Sequence, residues 1–307
     1  MSRVVIAALA TTAAFWAGSV LAQQPAGPPV GPDFSKVEVK TTDLGNRTYM
    51  LVGFGGNSTI AVGDDGVIMV DGQFAPLHDK LKAAIAAVTQ QPVRFLVNTH
   101  YHRDHVGGNV PFSKDGAVVV AHENVRKRLA EGTTMAVPEV KYTPAPEEAL
   151  PAITHKEGMT LQVQGRTAQL KHPVNAHTDG DTYVYFADAN VLSTGDTVTI
   201  GRYPNIDFAN GGNINGMIAT ADAYLSITDD NTKIVPGHGP LATKAQLAEY
   251  RAMLATARDR MAALIKDGKS ESDIYAARPL ADLDAKWAPN EQAAGNFMRV
   301  VYAGLKQ

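Results

Sequence analysis

The chain has 307 residues, of which 45% are hydrophobic, and it contains no cysteine. That length allows one large domain or two small ones, with enough apolar residues for a sizeable core. The formal net charge of -3, from acidic and basic residues mixed along the chain, excludes a basic surface that would bind nucleic acid or an anionic membrane. Without cysteine, disulfides, thiolate metal ligands and a lipid-linked N-terminal cysteine are excluded, so nitrogen and oxygen must hold any metal.

Residues 1–22 have the layout of a secretory signal peptide. Arg3 precedes an apolar run that extends to Val20, and the small-residue ending at Ala22 predicts cleavage there. A retained membrane anchor or a buried helix is the alternative, which the short run and its Ala and Thr content disfavour. We therefore expect a periplasmic or secreted protein with a bacterial-type export signal and no stable membrane insertion after cleavage. Residues 23–33, rich in Pro and Gly, predict a flexible leader.

The remaining residues, 34–307, are expected to form a single domain that begins with β-strands. Short β-rich runs between turn formers from residue 37 to 71 predict antiparallel strands. An apolar stripe at 3-4 spacing from Leu77 to Val88 then predicts a helix. Two buried strands, a helix and an irregular segment follow at 93–100, 116–122, 123–130 and 132–151. We interpret the irregular segment as a surface loop that covers or borders a site.

The second half repeats this order of strands followed by a helix. Strands are predicted at 159–165, 167–174, 182–188, 190–196 and 232–239, and a helix at 213–227. Thr243, with Gln246 three residues later, predicts a capping box at the start of a long helix that Gly268 ends. The segment from Ser270 to Gln307 predicts helices whose apolar residues pack in the core or in a lid.

The stretch VNTHYHRDHVGGN, from Val97 to Asn109, places three of the chain's nine histidines and one aspartate within six positions. His100 and His102 are two residues apart, so on an extended segment both side chains leave the same face and can reach one metal ion. Asp104 and His105 follow where the chain turns and can reach a second position. A polar surface loop or a satisfied core cluster is the alternative. It is disfavoured because these residues directly follow a buried strand and precede a Gly-Gly turn.

A metal site needs more ligands than one loop supplies, so further ligands are expected at strand ends downstream. His177, Asp196 and His238 each follow a predicted strand and stand beside glycine or another turn former. The remaining histidines lack such neighbours, and we expect packing or surface roles for them: His78, His122, His155 and His172. His122, at a strand end, is also a candidate to contact a metal ligand.

In order and spacing, the His-x-His-x-Asp-His motif, the later His, the Gly-Asp and the Gly-His-Gly resemble those of the metallo-β-lactamase-fold hydrolase superfamily, over most of the mature chain. This resemblance implies an α/β fold, a four-layer αβ/βα sandwich of two similar halves, with a two-metal site on one edge. It implies two zinc ions, although iron or manganese can occupy such sites. The ligand sets that it implies are His100, His102 and His177 for one ion and Asp104, His105 and His238 for the other, with Asp196 bridging both.

The same resemblance implies hydrolysis of a small-molecule substrate. Two ions that share a water lower its pKa and supply hydroxide to a carbonyl or phosphoryl centre, so no side-chain nucleophile is required. Asp104 would be catalytic, orienting that hydroxide and passing a proton to the leaving group. Tyr203, Asn210 and Asn213, where family members border the substrate, are candidates to donate hydrogen bonds to an oxyanion, with loop structure alone as the alternative. Arg103 is expected to form a salt bridge, either at the surface or behind the ligands.

Export distinguishes between branches of this superfamily. Hydroxyacylglutathione hydrolases, tRNA-processing endonucleases and persulfide dioxygenases are similar at the motif but generally act inside cells, whereas the targets of β-lactams lie in the compartment that receives exported enzymes. Two departures disfavour a β-lactamase. The first two subclasses have a cysteine at the position of Asp196, and the third lacks the bridging carboxylate. Lactonases, thioesterases and phosphodiesterases of this fold have that carboxylate.

We hypothesise an exported dinuclear zinc hydrolase that opens a cyclic amide or ester, with a β-lactam as the first named candidate. The alternatives are a lactonase, thioesterase or phosphodiesterase of the same fold, or an iron-dependent redox member of the superfamily. A binding protein without turnover is a further alternative, which the complete ligand set disfavours.

Overall fold

Two large β-sheets lie at the centre of this computed structural model, which describes residues 32–306. The predicted signal peptide, residues 1–22, and nearly all of the predicted leader lie outside the described residues. The strands in chain order are β1 (Lys40–Gly45), β2 (Thr48–Val52), β3 (Ser58–Val62), β4 (Val67–Val70), β5 (Val93–Val97), β6 (Val118–His122), β7 (Thr133–Ala136), β8 (Glu139–Tyr142), β9 (Ile153–His155), β10 (Gly158–Val163), β11 (Arg166–Lys171), β12 (Tyr183–Phe186), β13 (Val191–Thr199) and β14 (Lys233–His238). The α-helices are α1 (His78–Ala86), α2 (Arg103–Val106), α3 (Asn109–Lys114), α4 (Glu123–Glu131), α5 (Ile214–Ile227), α6 (Lys244–Lys266), α7 (Glu271–Ala277), α8 (Ala281–Trp287) and α9 (Glu291–Leu305).

The first sheet joins an antiparallel meander to a parallel half. Its order is β1-β2-β3-β4-β5-β6-β9, with β1 to β4 antiparallel and β4, β5, β6 and β9 parallel. The second sheet has the order β10-β11-β12-β13-β14, in which β13 and β14 are parallel and the other pairs are antiparallel. Parallel neighbours end at the same edge of a sheet, so the residues that follow β4 and β5, and those at the ends of β13 and β14, come close together.

The two sheets face each other across an apolar core. Ile68 and Val97 of the first sheet and Phe186 and Val235 of the second belong to one buried cluster. A second cluster packs the outer face of the first sheet against α1, and a third packs the outer face of the second sheet against α5, α6 and α9. The layers are therefore helix, sheet, sheet and helix, which confirms the predicted αβ/βα sandwich.

Local sequence sets the ends of the long predicted helix, α6. Thr243 Oγ1 accepts a hydrogen bond from the backbone N–H of Gln246, and the Gln246 side chain accepts one from the N–H of Thr243, which confirms the predicted capping box. Gly268, with φ +76, follows its last turn. Across the part of the chain that the structure describes, no helix combines the length and the apolar character needed to cross a bilayer.

The segment 132–151 is not the irregular loop that the sequence predicts. Strands β7 and β8 form an antiparallel hairpin in which Thr133 pairs with Tyr142. Threonine, valine and tyrosine favour these strands, and Pro138 lies in the turn between them. The hydrophobic pattern misses the hairpin because each strand has only 4 residues, with mixed polarity.

Candidate metal centre

Seven predicted ligands converge at one edge of the sandwich, where loops of both sheets meet. Their ligand atoms fall into two groups, each with all atoms within 4.8 Å of one another. The groups are His100, His102, His177 and Asp196, and Asp104, His105 and His238. The first two histidines follow β5, Asp104 and His105 lie on α2, His177 follows β11, and Asp196 and His238 lie on β13 and β14. The structure thus brings together the residues that the resemblance implies, and their individual roles stay predictions.

The first group places imidazoles and a carboxylate around a common point. Nδ1 of His102 and Nε2 of His177 are 3.1 Å apart. Two nitrogens on one tetrahedral zinc, with Zn–N bonds of about 2.05 Å, would be ~3.3 Å apart. Asp196 Oδ2 lies 4.0 Å from Nε2 of His100 and 3.8 Å from Nε2 of His177. This spacing fits one ion held by nitrogen and oxygen.

Asp196 also contacts the second group. Its Oδ1 lies 3.2 Å from Nε2 of His105, and its Oδ2 lies 3.4 Å from Nε2 of His238. Asp104 Oδ2 lies 3.2 Å from Nε2 of His238 and 3.7 Å from Nε2 of His105. A single carboxylate therefore lies between the imidazoles of both groups, as a bridging ligand must.

In four of the five histidines, the outward ring nitrogen is bonded to the protein, which leaves the inward nitrogen for a metal. The pairs are His105 Nδ1 with Asp71 Oδ2 (2.7 Å), His102 Nε2 with Asp207 Oδ2 (3.3 Å), His177 Nδ1 with the Asn205 carbonyl (2.8 Å) and His100 Nδ1 with Thr99 Oγ1 (3.0 Å). The Thr99 hydroxyl donates to Asp71, so it accepts the bond from His100. Each tautomer therefore directs a lone pair into the cluster.

Asp71 and Asp207 are not among the predicted site residues. Asp71 directly follows β4 and precedes Gly72, which is the same signal that points to Asp196. Its φ of 60 is in the left-handed region, which aspartate adopts more readily than most residues. Asp207 lies in an irregular loop, where nothing in the local sequence marks it.

Buried polar atoms without partners fit a bound cation. Among the described residues, His100 Nε2, His105 Nε2 and Asp196 Oδ1 are buried and have no hydrogen-bond partner. Burial and the charges of the neighbouring histidines lower the pKa of His100 well below its usual value, which keeps it neutral as a metal ligand must be. Burial alone would raise the pKa of Asp196. The neighbouring His238 and His105 have the larger effect and hold this pKa well below its usual value. The donor set, imidazole and carboxylate, suits zinc and similar divalent ions.

Two glycines let the backbone approach the ligands closely. A Cβ at Gly237 would lie 2.0 Å from Asp196 Oδ1, and one at Gly56 would lie 2.2 Å from Cε1 of the His105 ring. Both distances are far below van der Waals contact, so a side chain at either position would displace a ligand. This explains why glycine precedes His238.

The three candidate substrate contacts, Tyr203, Asn210 and Asn213, each form hydrogen bonds with other groups of the protein. The Tyr203 hydroxyl donates to Asp284 Oδ1 at 3.0 Å, and its ring stacks on Phe297. Asn210 donates to Asp207 at 2.8 Å and accepts from Arg128 at 2.6 Å. Asn213 caps α5 by accepting from the N–H of Asn215, and its Nδ2 donates to the Gly304 carbonyl. These bonds favour the alternative of loop structure, and a contact with substrate stays a prediction.

Arg103, inside the histidine motif, does not form the predicted salt bridge within the described residues. Its Nη2 instead donates to the Lys141 carbonyl of β8 at 2.7 Å. Its guanidinium also lies over the Tyr142 ring, 4.7 Å from the centroid. Arg103 therefore fastens the β7–β8 hairpin to the loop that carries the ligands.

Comparison with protein-family models matches residues 51–238 to the metallo-beta-lactamase superfamily. That segment contains every predicted metal ligand. The chain belongs to the metallo-β-lactamase superfamily. Membership confirms the resemblance, and it makes the centre a metal-binding cluster of a superfamily whose members are largely hydrolases.

Relatives of this superfamily member differ in their chemistry. It is 30% identical over 153 residues to the alpha subunit of a 2,4-dinitroanisole O-demethylase from Nocardioides sp. (strain JS1661), covering 48% of this chain and 43% of that one. It is 28% identical over 169 residues to a hydroxyacylglutathione hydrolase from Polaromonas sp. (strain JS666), covering 53% of this chain and 55% of the relative. The chain thus spans about half the length of these curated relatives.

Solved structures show the same fold at low identity. A metallo-beta-lactamase from Pontibacter korlensis superposes with a TM-score of 0.59 at 19% identity, over 71% of this chain and 99% of that one. The stereoselective inverting sec-alkylsulfatase Pisa1 from Pseudomonas sp. superposes with a TM-score of 0.65 at 18% identity, over 86% of this chain and 50% of that one. At such identities the likeness concerns the fold alone.

Proposed function

We propose that this chain is an exported dinuclear zinc hydrolase that opens a cyclic amide or ester, with a β-lactam as the first substrate to test. The observation that carries the two-metal hydrolase, though not the choice of substrate, is the position of Asp196, whose two oxygens contact imidazoles of both ligand groups at 3.2 Å to 4.0 Å. Asp196 and the two groups of imidazoles would hold two ions close together, and such a pair would supply the chemistry of metal-assisted hydrolysis. The signal-peptide layout of residues 1–22 supports export.

The residues that would hold the ions are those of the two groups, with Asp196 common to both. When bound, two divalent ions supply a nucleophilic hydroxide and polarise the oxygen of the bond to be broken. Asp104 is the more exposed of the two carboxylates, with 24% of its side chain accessible against 11% for Asp196. Asp104 is therefore the one that meets a substrate, and its role is to orient the nucleophile and to pass a proton to the leaving group.

Zinc is favoured by the ligands. Five imidazoles and two carboxylates, without thiolate, make up the groups. Neutral imidazole with carboxylate suits zinc, and also iron or manganese. The redox alternative therefore depends on the metal, and metal analysis of protein purified without added metal separates it from the hydrolase. We expect close to two zinc ions per chain, and a metal-free protein with full activity would end the proposal.

A thioesterase is the second candidate. The supporting observation is the 28% identity to a hydroxyacylglutathione hydrolase over 169 residues. A thioester, like a cyclic amide or ester, presents a carbonyl to the same nucleophile. The geometry of the metal centre therefore does not distinguish these classes of substrate. The decisive experiment is a hydrolysis screen of the zinc-loaded protein against β-lactams, lactones, thioesters and phosphodiesters, with 2,4-dinitroanisole included because of the other relative. Turnover of a lactam or lactone above the others supports the first proposal, and thioester turnover alone replaces it.

Asp104→Ala tests the role of the exposed carboxylate. We expect it to abolish hydrolysis while the fold stays intact, because the nucleophile and the leaving group lose their proton acceptor and donor. Initial rates and a thermal melt measure both effects. Asp222→Ala is the matched control, since Asp222 pairs with Arg251 on the far helices α5 and α6. Turnover retained in Asp104→Ala contradicts the assignment.

A further inference from the structure

The β7–β8 hairpin brings an aromatic side chain against the metal centre. Tyr142, the last residue of β8, lies 5.9 Å from the ring of His102, centroid to centroid, with the planes 21° apart. It also meets the ring of Tyr101 edge-on at 5.1 Å. Tyr142 is therefore in stacking contact with a side chain of the first ligand group.

The metal-binding loop itself holds this tyrosine in place. Arg103, between His102 and Asp104, covers the Tyr142 ring at 4.7 Å and donates to the carbonyl of the preceding residue, Lys141, at 2.7 Å. A cation over an aromatic face and a hydrogen bond to the adjacent backbone fix the position of the ring. The phenol is thus positioned by the same six residues that carry four of the predicted ligands.

The Tyr142 hydroxyl has no hydrogen-bond partner within residues 32–306, and the side chain is partly exposed. The neighbouring tyrosines differ, since Tyr101 donates to Asp207 and Tyr203 donates to Asp284. A phenol has an ordinary pKa of about 10, so the Tyr142 hydroxyl is protonated at neutral pH and can act as a donor.

We propose that the Tyr142 hydroxyl donates a hydrogen bond to the substrate oxygen that gains negative charge during hydrolysis. The inference rests on the proposed function, because it requires an acyl or related substrate bound over the first ligand group. A donor fixed beside the reacting centre stabilises the charge that develops in the transition state more than it stabilises the ground state. Substrates whose bond breaking places charge on a carbonyl or phosphoryl oxygen are the class that would depend on it.

Tyr142→Phe removes the donor and keeps the ring that stacks on His102. We expect kcat to fall by about 100-fold, as when one oxyanion donor is removed, with KM changed by less than about twofold. Metal content should equal that of the unmodified protein. Tyr302→Phe, on α9, is the control and should leave both constants unchanged. A kcat for Tyr142→Phe within about twofold of the unmodified enzyme, or a loss confined to KM, would overturn the proposal.

Binding of methylphosphonate, a tetrahedral oxyanion, gives a measurement that does not depend on turnover. The zinc-loaded protein should bind it about tenfold more weakly after Tyr142→Phe, the loss expected for one hydrogen bond of ~1.4 kcal/mol. Calorimetric titration measures this, and equal affinities contradict the inference. If the unmodified protein hydrolyses no substrate in the screen, the proposed function fails, whereas unchanged kinetics in Tyr142→Phe with an active parent enzyme reject only Tyr142.

Discussion

Two histidine clusters lie in this fold, and carboxylates distinguish them. In the metal centre, burial lowers the pKa of His238, but Asp196 and Asp104 raise it to about 9. In the second cluster, formed by His122, His155 and His172, burial and neighbouring imidazoles lower the pKa of His122 and of His155 to about 4. The carboxylates therefore favour positive charge on His238, whereas burial disfavours it on His122 and His155, as it does on His100 of the metal centre.

The rings of the second cluster pack against each other, and His122 directs no free lone pair to a metal. His122 and His172 stack with centroids 4.0 Å apart, and His155 meets His122 edge-on at 5.7 Å. His122 Nδ1 accepts from the Asn124 N–H at the start of α4, and His172 Nδ1 donates to the Asp181 carbonyl. A neutral His122 whose Nδ1 accepts carries its proton on Nε2, so it has no lone pair for a metal. These histidines pack against each other, and a metal site requires carboxylates and inward lone pairs as well.

Replacing one histidine in each cluster should give the largest difference between the two clusters, because only the metal centre should lose metal affinity. His100→Asn removes an inward nitrogen from the first group, and we expect its metal affinity to fall by more than about 100-fold, beyond the loss of an outer hydrogen-bond partner. Hydrolysis should be lost with it. His155→Asn is the matched control because both side chains are buried, with 1% and 7% exposure. Metal retained after gel filtration and chelator competition measure the difference, and equal affinities in the two variants would show that the centre is not a metal site.

A side chain at Gly237 should damage the metal centre without removing a ligand. The added Cβ in Gly237→Ala meets Asp196 Oδ1 at 2.0 Å and backbone atoms of residues 195 and 196 at 2.6 and 2.7 Å. We expect the free energy of unfolding to fall by about 3 kcal/mol from this overpacking, and metal affinity to fall as Asp196 moves. Gly295→Ala, in α9 with nothing within 4 Å, should instead stabilise by about 0.5 kcal/mol. Urea unfolding of both variants tests this, and a Gly237→Ala protein as stable as its parent would contradict it.

The metal centre could be found from sequence because its ligands have local signals. His100 and Asp104 lie within one short motif, His238 ends β14 beside glycine, and Asp196 follows Gly195 at the predicted end of a strand that the structure extends to Thr199. Strand ends are where a parallel sheet presents its functional side chains, so the alternation of strands and helices also predicts that these positions meet. The same reasoning finds the capping box at Thr243, since a cap depends on residues three positions apart.

The remainder could not be predicted because it depends on contacts between distant residues. Asp207 acts on His102 across 105 positions, and no local pattern records that pairing. Tyr142 reaches the centre only because the hairpin folds back over α2, and its two short strands give no clear period. The second histidine cluster also depends on distant contacts, because its members lie at the ends of β6, β9 and β11. In the sequence these three histidines are far apart, so no local pattern predicts that they meet.

Acid should reveal the second cluster, with an expected effect per histidine that is smaller than the effect of Gly237→Ala. His122 and His155 have a pKa of about 4 in the folded chain against 6.5 in the unfolded chain. The unfolded chain therefore binds more protons between these values, so the free energy of unfolding falls as the pH falls from 6.5 through 4. The charged groups that face the cluster, Glu123 and Asp179, oppose this only in part. We expect a loss of about 1 to 2 kcal/mol per histidine at pH 5.

A double variant, His122→Gln with His155→Gln, isolates this contribution. Glutamine does not titrate, so the variant should lose less stability than the parent between pH 7 and pH 5, while the metal centre contributes equally to both proteins. Urea unfolding at each pH gives the two slopes. Parallel slopes would show that these histidines keep ordinary pKa values in the folded chain, and the contrast between the two clusters would then rest on ring geometry alone. A shallower slope for the variant would show that burial keeps His122 and His155 neutral in the folded chain, in contrast to His238 of the metal centre.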